Sequence, residues 1–192
     1  MNDLTLRPFA DRDITLLTAW LHKDYILKWY QDPAAWLEEI HGRHAAFAWI
    51  SHFIVLYGDT PIGFCQYYDC VHANALEDWY EVTRQNDTYS IDYLIGEGAY
   101  LGKGCGKAVV RLLTERIAQE GARQIIVQPD SENQPSSHVL LANGFVFDAA
   151  LDYYVKTLET DPFYSESNLA HLRRGVTALN SGNGMERDII NE

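Results

Sequence analysis

Apolar positions recur along this chain with two periods, and each change of period marks an element. Leu4 to Phe9 alternates and predicts a first strand. Ile14, Leu17, Trp20 and Leu21 share one helical face, with Asp11 or Asp13 placed to cap it. Tyr25 to Tyr30 carries three aromatic residues and is assigned no element. Asp32-Pro33 joins an N-cap to a first-turn proline and predicts a helix through Trp36, Leu37 and Ile40. Phe47 to Tyr57 and Ile62 to Asp69 read as a hairpin that turns at Gly58-Asp59, with Pro61 at the entry of its second strand. His72 to Asp87 mixes acids with aromatic residues and reads as a loop or irregular helix.

The next stretch is the centre of the pattern. Ile91 to Ile95 is a short apolar strand with one acid inside it, Asp92. Gly96, Gly98, Gly102, Gly104 and Gly106 follow, and then a helical period places Val109, Val110, Leu112, Leu113 and Ile117 inward until Gly121. Gln124 to Gln128 is a buried strand. Asn133 caps a helix with Pro135 in its first turn, and Asn143-Gly144 stops it. Phe145 to Phe147 and Leu151 to Leu158 are the last strands.

This order predicts an α/β (α+β) fold, with a mixed central sheet of six to seven strands and helices on both faces. Residues 1–158 form the expected domain. From Glu159 the composition changes: Asp161-Pro162 breaks the chain, Ser167 caps a helix to Leu179, and SGNGMERDIINE reads as a frayed end. This 159–192 extension packs on the domain, joins a homodimer or stays mobile; the alternatives are open.

Composition narrows the setting. The 192 residues carry a net charge of -12, which disfavours nucleic acid and anionic membrane and tolerates a cationic substrate. Cys65, Cys70 and Cys105 fit neither a disulfide framework nor a zinc pattern, so no metal is expected. No apolar run approaches a membrane span, and the charged N-terminus lacks a signal core. A cytoplasmic location is expected.

The glycine stretch is neither of two common phosphate motifs. A P-loop ending at Gly106-Lys107 would need glycine where Leu101 stands and a hydroxyl where Ala108 stands. A dinucleotide fingerprint would need glycine at Lys107 or Leu101. What remains is Gly102-Lys103-Gly104-Cys105-Gly106 before a helix. Its amides, from Lys103 to Lys107, suit an anion.

In that form the stretch resembles the acetyl-CoA loop of the GNAT N-acetyltransferases, with Leu101 where glutamine or arginine is usual. The resemblance covers Leu4 to Leu158. It is narrowest to the aminoglycoside 6'-N-acetyltransferases, through Trp20-Leu21, Ile26 to Tyr30, Pro61-Ile62-Gly63 with Gln66, Trp79-Tyr80-Glu81, Ile91-Asp92, Leu101 to Gly106, and Asn133 with Asn143-Gly144-Phe145. It implies an acetyl-CoA-dependent N-acetyltransferase acting on a cationic small-molecule amine, the 6'-amine of an aminoglycoside antibiotic. Another amine (a protein N-terminus, a polyamine, a siderophore precursor) and a non-catalytic acyl-CoA-binding domain are the alternatives.

The resemblance also implies roles. Asp92 becomes the catalytic and amine-holding acid; its alternatives are an exposed strand face or pairing with Arg or His. An acid in an apolar strand needs a partner, and an ammonium is one. Glu77 is the second acid of the acceptor site, beside Trp79 and Tyr80, with Glu81 and Asp87 adding negative potential. Trp29 and Tyr30 either stack on sugar rings or pack as core. The amide near Leu94 is the oxyanion donor, and Ile95 and Gly96 continue along the pantetheine arm. Asn133 hydrogen-bonds the CoA chain, caps its helix, or does both. Two positions depart from the family: Leu140 stands where a tyrosine acid is frequent, leaving Tyr153 or Tyr154 as substitutes. Gln128 stands where the aminoglycoside enzymes carry an aspartate, with Asp130 nearby. Cys105 reads as a small filler.

Overall fold

The computed structural model describes residues 4–158 and 166–181. Seven strands lie in one sheet in the order β1-β2-β3-β4-β5-β7-β6. They are β1 (Leu4–Pro8), β2 (Ile50–Tyr57), β3 (Thr60–Asp69), β4 (Thr88–Ile95), β5 (Gln124–Val127), β6 (Val146–Asp148) and β7 (Tyr153–Thr157). All neighbours run antiparallel except β4 and β5. The mixed sheet with helices on both faces is as the alternation of strands and helices predicts.

Strand alternation sends side chains to two cores. Phe53, Val55 and Ile91 pack with Val109, Leu113 and Ile117 of α5 (Cys105–Gln119). Ile54, Phe64 and Leu94 pack on the other face with Leu17, Trp20 and Leu21 of α1 (Ile14–Leu21), Ile26 of α2 (Asp24–Tyr30) and Ile40 of α3 (Pro33–His41). Burying large aliphatic and aromatic side chains on both sides supplies the main driving force, about 1.5–3 kcal/mol each.

Several boundaries differ from the sequence pattern, each for a local reason. Tyr25 to Tyr30, left without an element, lies in α2: Ile26 is buried against the sheet while Tyr25 and Tyr30 send their hydroxyls to backbone carbonyls. Asp13 does not cap α1 with its side chain, because Arg7 and the Ala10 amide hold its carboxylate at 2.8 and 2.9 Å. Asp32 does cap α3, accepting from the amides of Ala34 and Ala35. β2 begins at Ile50, since Phe47 to Trp49 close a turn. The stretch after β3 opens with one helical turn, α4 (Cys70–Ala73), and then runs irregularly to β4. α6 spans Gln134–Leu141.

Contacts divide the chain into two compact units, Met1–Leu158 and Glu159–Glu192. The second contains α7 (Glu166–Asn180), on which Leu172, Val176 and Leu179 are exposed. The break at Asp161-Pro162 and the tail beyond Ser181 lie outside the described residues, as does the side chain of Ser167.

Candidate active site

β4 builds the site because its two edges are treated differently. Toward β3 it is paired along its length, from Asp69↔Tyr89 to Gly63↔Ile95. Toward β5 only Thr88↔Gln124 and Tyr89↔Ile125 are paired. Beyond Tyr89 the parallel neighbours part, so the second half of β4 presents an edge that β5 does not fill. An edge of this kind accepts an extended amide-bearing chain as a further strand.

The end of β4 is held down from the α1–α2 side. The carbonyl of Gly96 accepts from Lys23 Nζ and from the Tyr25 hydroxyl, both at 2.6 Å. Trp20 Nε1 donates to Glu97 at 2.7 Å. A side chain on Gly96 would run into the Trp20 indole. Tyr30 donates its hydroxyl to the Tyr93 carbonyl at 2.7 Å, so it fixes β4 from within the core. Trp29 instead carries Lys28 over its ring at 4.2 Å and does not line the cavity beside Asp92.

After β4 the chain makes a short turn over Gly98–Tyr100 and enters α5 through the glycines. Gly102 and Gly104 have φ of 69° and 77°, which costs an L side chain roughly 1–2 kcal/mol. Gly104 is the N-cap of α5 and offers no side chain to its first amides. A fifteen-residue helix therefore ends in uncapped N–H groups on Cys105, Gly106 and Lys107, an anion-accepting arrangement. A Cβ on Gly102 would meet nothing within 4 Å, so this side of the loop is open. Leu101, Lys103 and Lys107 are exposed around it. Cys105 is buried in the core and its thiol is pushed up by that burial, consistent with a filler.

On the α1–α3 face, the β3–β4 register sets Gln66 opposite Asp92. Gln66 Nε2 donates to Asp92 Oδ2 at 3.1 Å. Around them is a cavity of about 140 Å³, lined by three carboxylates (Glu39, Glu77 and Asp92) and by Trp36, Trp49 and Tyr68. Burial, the charge of Glu39 and that of Glu77 push the Asp92 carboxyl up to about 7, against the opposing hydrogen bond from Gln66. An acid so placed changes protonation near neutral pH, which suits a general base. Glu77 is raised as well, mainly by burial, while Trp79 Nε1 donates to it at 2.9 Å. The Trp79 ring meets Tyr80 at 4.3 Å and Tyr153 at 5.7 Å, both edge-on.

The structure thus brings together Asp92 and Glu77, with Trp79 and Tyr80 as the wall behind Glu77. Other expected residues have other partners. Asp87 sits 3.6 Å from both Arg84 and Arg123, and Glu81 is exposed. Asn133 is the N-cap of α6, accepting from the Ser136 amide at 3.2 Å. Leu140 is wholly buried in the core. Tyr153 packs on Trp79, and Tyr154 packs on Phe147 beside a larger cavity of about 440 Å³ near Gln128, Asp130 and Asp152. Gln128 Nε2 donates to the Asp152 carbonyl at 2.8 Å, tying β5 to the β6–β7 turn. The raised carboxylates Asp92 and Glu77 both line the smaller cavity.

Glu39, Trp36 and Trp49 were not singled out by sequence reasoning, and Gln66 only as part of a pattern. The available signal was on α3: Glu39 follows the inward Trp36 by three positions and so shares its face. Among the described residues no three His, Cys, Asp or Glu side chains gather as a metal site, and no helix is long and apolar enough to cross a membrane.

The acetyltransferase (GNAT) domain family matches residues 10–153. Aminoglycoside N(6')-acetyltransferase type 1 of Klebsiella pneumoniae is 27% identical over 122 residues, a match spanning 60% of this chain and 60% of that relative's length. The fold is similar to AAC(6')-Ib solved with ribostamycin and coenzyme A, at a TM-score of 0.69 and 22% identity, covering 86% of this chain and 99% of that one. It is also similar to RimL, a ribosomal L7/L12 α-N-protein acetyltransferase solved with coenzyme A, at 0.62 and 16%, covering 84% and 97%.

Proposed function

We propose, from the premise that this chain belongs to the GNAT acetyltransferase family, that it transfers an acetyl group from acetyl-CoA to a primary amine of a cationic small molecule, the 6'-amine of an aminoglycoside. The observation that carries this reading is Asp92: a carboxyl raised to about 7, in an acidic cavity, on the strand whose free edge faces β5.

The residues fit the co-substrate. The uncapped amides of Cys105, Gly106 and Lys107 would hold the pyrophosphate, with Gly102, Lys103, Gly104 and Leu101 forming the approach. The unpaired edge of β4 at Leu94 and Ile95 would receive the amides of the pantetheine arm. Acetyl-CoA supplies the acyl group as a thioester. Asp92 takes a proton from the ammonium, and the freed lone pair attacks the thioester carbonyl carbon. Collapse of the resulting adduct breaks the C–S bond, its electron pair leaves on sulfur, and the surplus proton on the new amide nitrogen passes to that thiolate to give CoA thiol. A backbone amide of β4 near Leu94 stabilises the developing oxyanion.

Support for a cationic acceptor comes from the three carboxylates of the cavity and the net charge of -12. Support for an aminoglycoside comes from the relatives. A different amine is favoured by one observation: where an acid would face the antibiotic, Gln128 is engaged with Asp152. Three buried free cysteines support action in the reducing cytoplasm. The test is release of CoA thiol from acetyl-CoA with kanamycin, set beside a polyamine and a peptide N-terminus. Turnover of kanamycin is expected; turnover of the others alone overturns the aminoglycoside assignment.

A further inference from the structure

The acidic cavity contains a buried acceptor with no donor. Gln66 is 1% exposed, its Nε2 is used on Asp92, and its Oε1 has no hydrogen-bond partner. A buried acceptor left unpaired is costly, and a bound donor would relieve that cost. Two more residues lining the same cavity have an acceptor atom to spare. Asp92 accepts from Gln66 through Oδ2, and Oδ1 has no partner among the described residues. Glu39 is held through Oε1 by His52 Nε2 at 3.1 Å, and Oε2 is free of protein donors among the described residues. His52 is almost wholly buried, so it anchors Glu39 rather than competing for ligand from solvent. Glu77 accepts from Trp79 Nε1 through Oε2.

We propose that Glu39 is a specificity-determining residue that, with Gln66 Oε1 and Asp92 Oδ1, forms a three-acceptor cradle for a primary ammonium on a slender carbon. This rests on the reading of Asp92 as the amine-holding acid and deepens it.

A primary ammonium has three N–H donors, one for each acceptor. Each N-methyl group removes one donor and adds bulk against Trp36 and Trp49. A hydroxylamine nitrogen, uncharged at neutral pH, leaves the carboxylates without their counter-charge. The size agrees. About 140 Å³ is close to a cavity that admits one benzene, so the amine and a few attached carbons enter and the rest of the acceptor stays outside. Glu39 and Asp92 line one cavity, and the charge of Glu39 pushes the Asp92 carboxyl up.

Two experiments test the cradle. In steady-state kinetics, Glu39→Gln should raise the KM for a primary amine acceptor about tenfold or more, the weight of one charge-assisted hydrogen bond. The KM for acetyl-CoA should hold, kcat should change far less than on Asp92→Asn, and discrimination against the N-methyl acceptor should shrink. An unchanged acceptor KM overturns the proposal. The second needs no turnover: butylammonium chloride should raise the Tm of the wild type above that in equal tetramethylammonium chloride, and Glu39→Gln should lose the difference. Equal responses to both salts in the wild type also overturn it. Should kanamycin be inert while butylammonium stabilises the protein and other primary amines turn over, the aminoglycoside assignment fails and the cradle stands.

Discussion

Replacing Asp92 with asparagine should make the unliganded protein more stable and the enzyme nearly inactive. The carboxyl goes from its ordinary 3.8 to about 7 in the folded chain, first because burial penalises the charge. A raised carboxyl pKa means the folded state binds the proton more tightly than the unfolded state. The associated stability is therefore fully present below 3.8 and is lost as pH climbs from there to about 7. Above that window the wild type bears the whole cost, with a ceiling of about 4 kcal/mol for this rise in pKa. Asparagine has the same shape, keeps a partner for Gln66 and does not titrate. The two proteins should thus melt alike at acid pH and diverge up to neutrality. Even about 1 kcal/mol moves the Tm of a chain this size by about 2–4 °C. The assay is thermal unfolding of both proteins from pH 3.5 to 8, with thiol release measured alongside. Loss of the general base should lower kcat by about 10²-fold or more. A Tm difference that stays flat across the window, or a variant that turns over like the wild type, refutes a raised acid in that cavity.

Other variants probe the frame around it. Gly96→Ala should destabilise the protein by about 1–3 kcal/mol in urea unfolding, since the added methyl runs into the Trp20 indole. Gly104→Ala should cost roughly 1–2 kcal/mol at its φ of 77° and weaken acetyl-CoA binding in calorimetry, because the same turn aims the α5 amides. Tyr30→Phe should cost about 1 kcal/mol by leaving the Tyr93 carbonyl without its donor, and kcat should fall as β4 loosens beside Asp92. Asn133→Ala should lower the unfolding free energy, read by urea titration, by about 1 kcal/mol through loss of the α6 cap.

Much of this molecule is decided within a few residues of chain, and that part was legible. Asp32-Pro33 and Asn133 start helices because a side-chain oxygen meets an amide two or three positions on. Gly102 and Gly104 take left-handed turns that other residues resist, so the approach to α5 could be read directly. The apolar runs at Phe47 to Tyr57 and Ile91 to Ile95 read as strands, which placed Asp92 inside a strand, and both runs pack on two cores. The short helix at Tyr25 to Tyr30 was not legible, because tertiary bonds to Gly96 and Tyr93 settle the orientation of its tyrosines.

The acidic cavity beside Asp92 belongs to the tertiary structure. Its walls come from α3, β2, β3, the stretch after α4 and β4, and a pocket exists only where those segments fail to fill space between them. Register, not composition, sets Gln66 across from Asp92, and a slip of one residue would send them to opposite faces. Packing likewise puts Glu39 beside Asp92, sends Leu140 into the core and pairs Asp87 with two arginines. The sequence by itself determined a glycine-lined helix entry and an acid in a buried strand, because both are local. Only the folded sheet parted β4 from β5 and gathered three carboxylates beside one strand, because both depend on segments far apart in the chain.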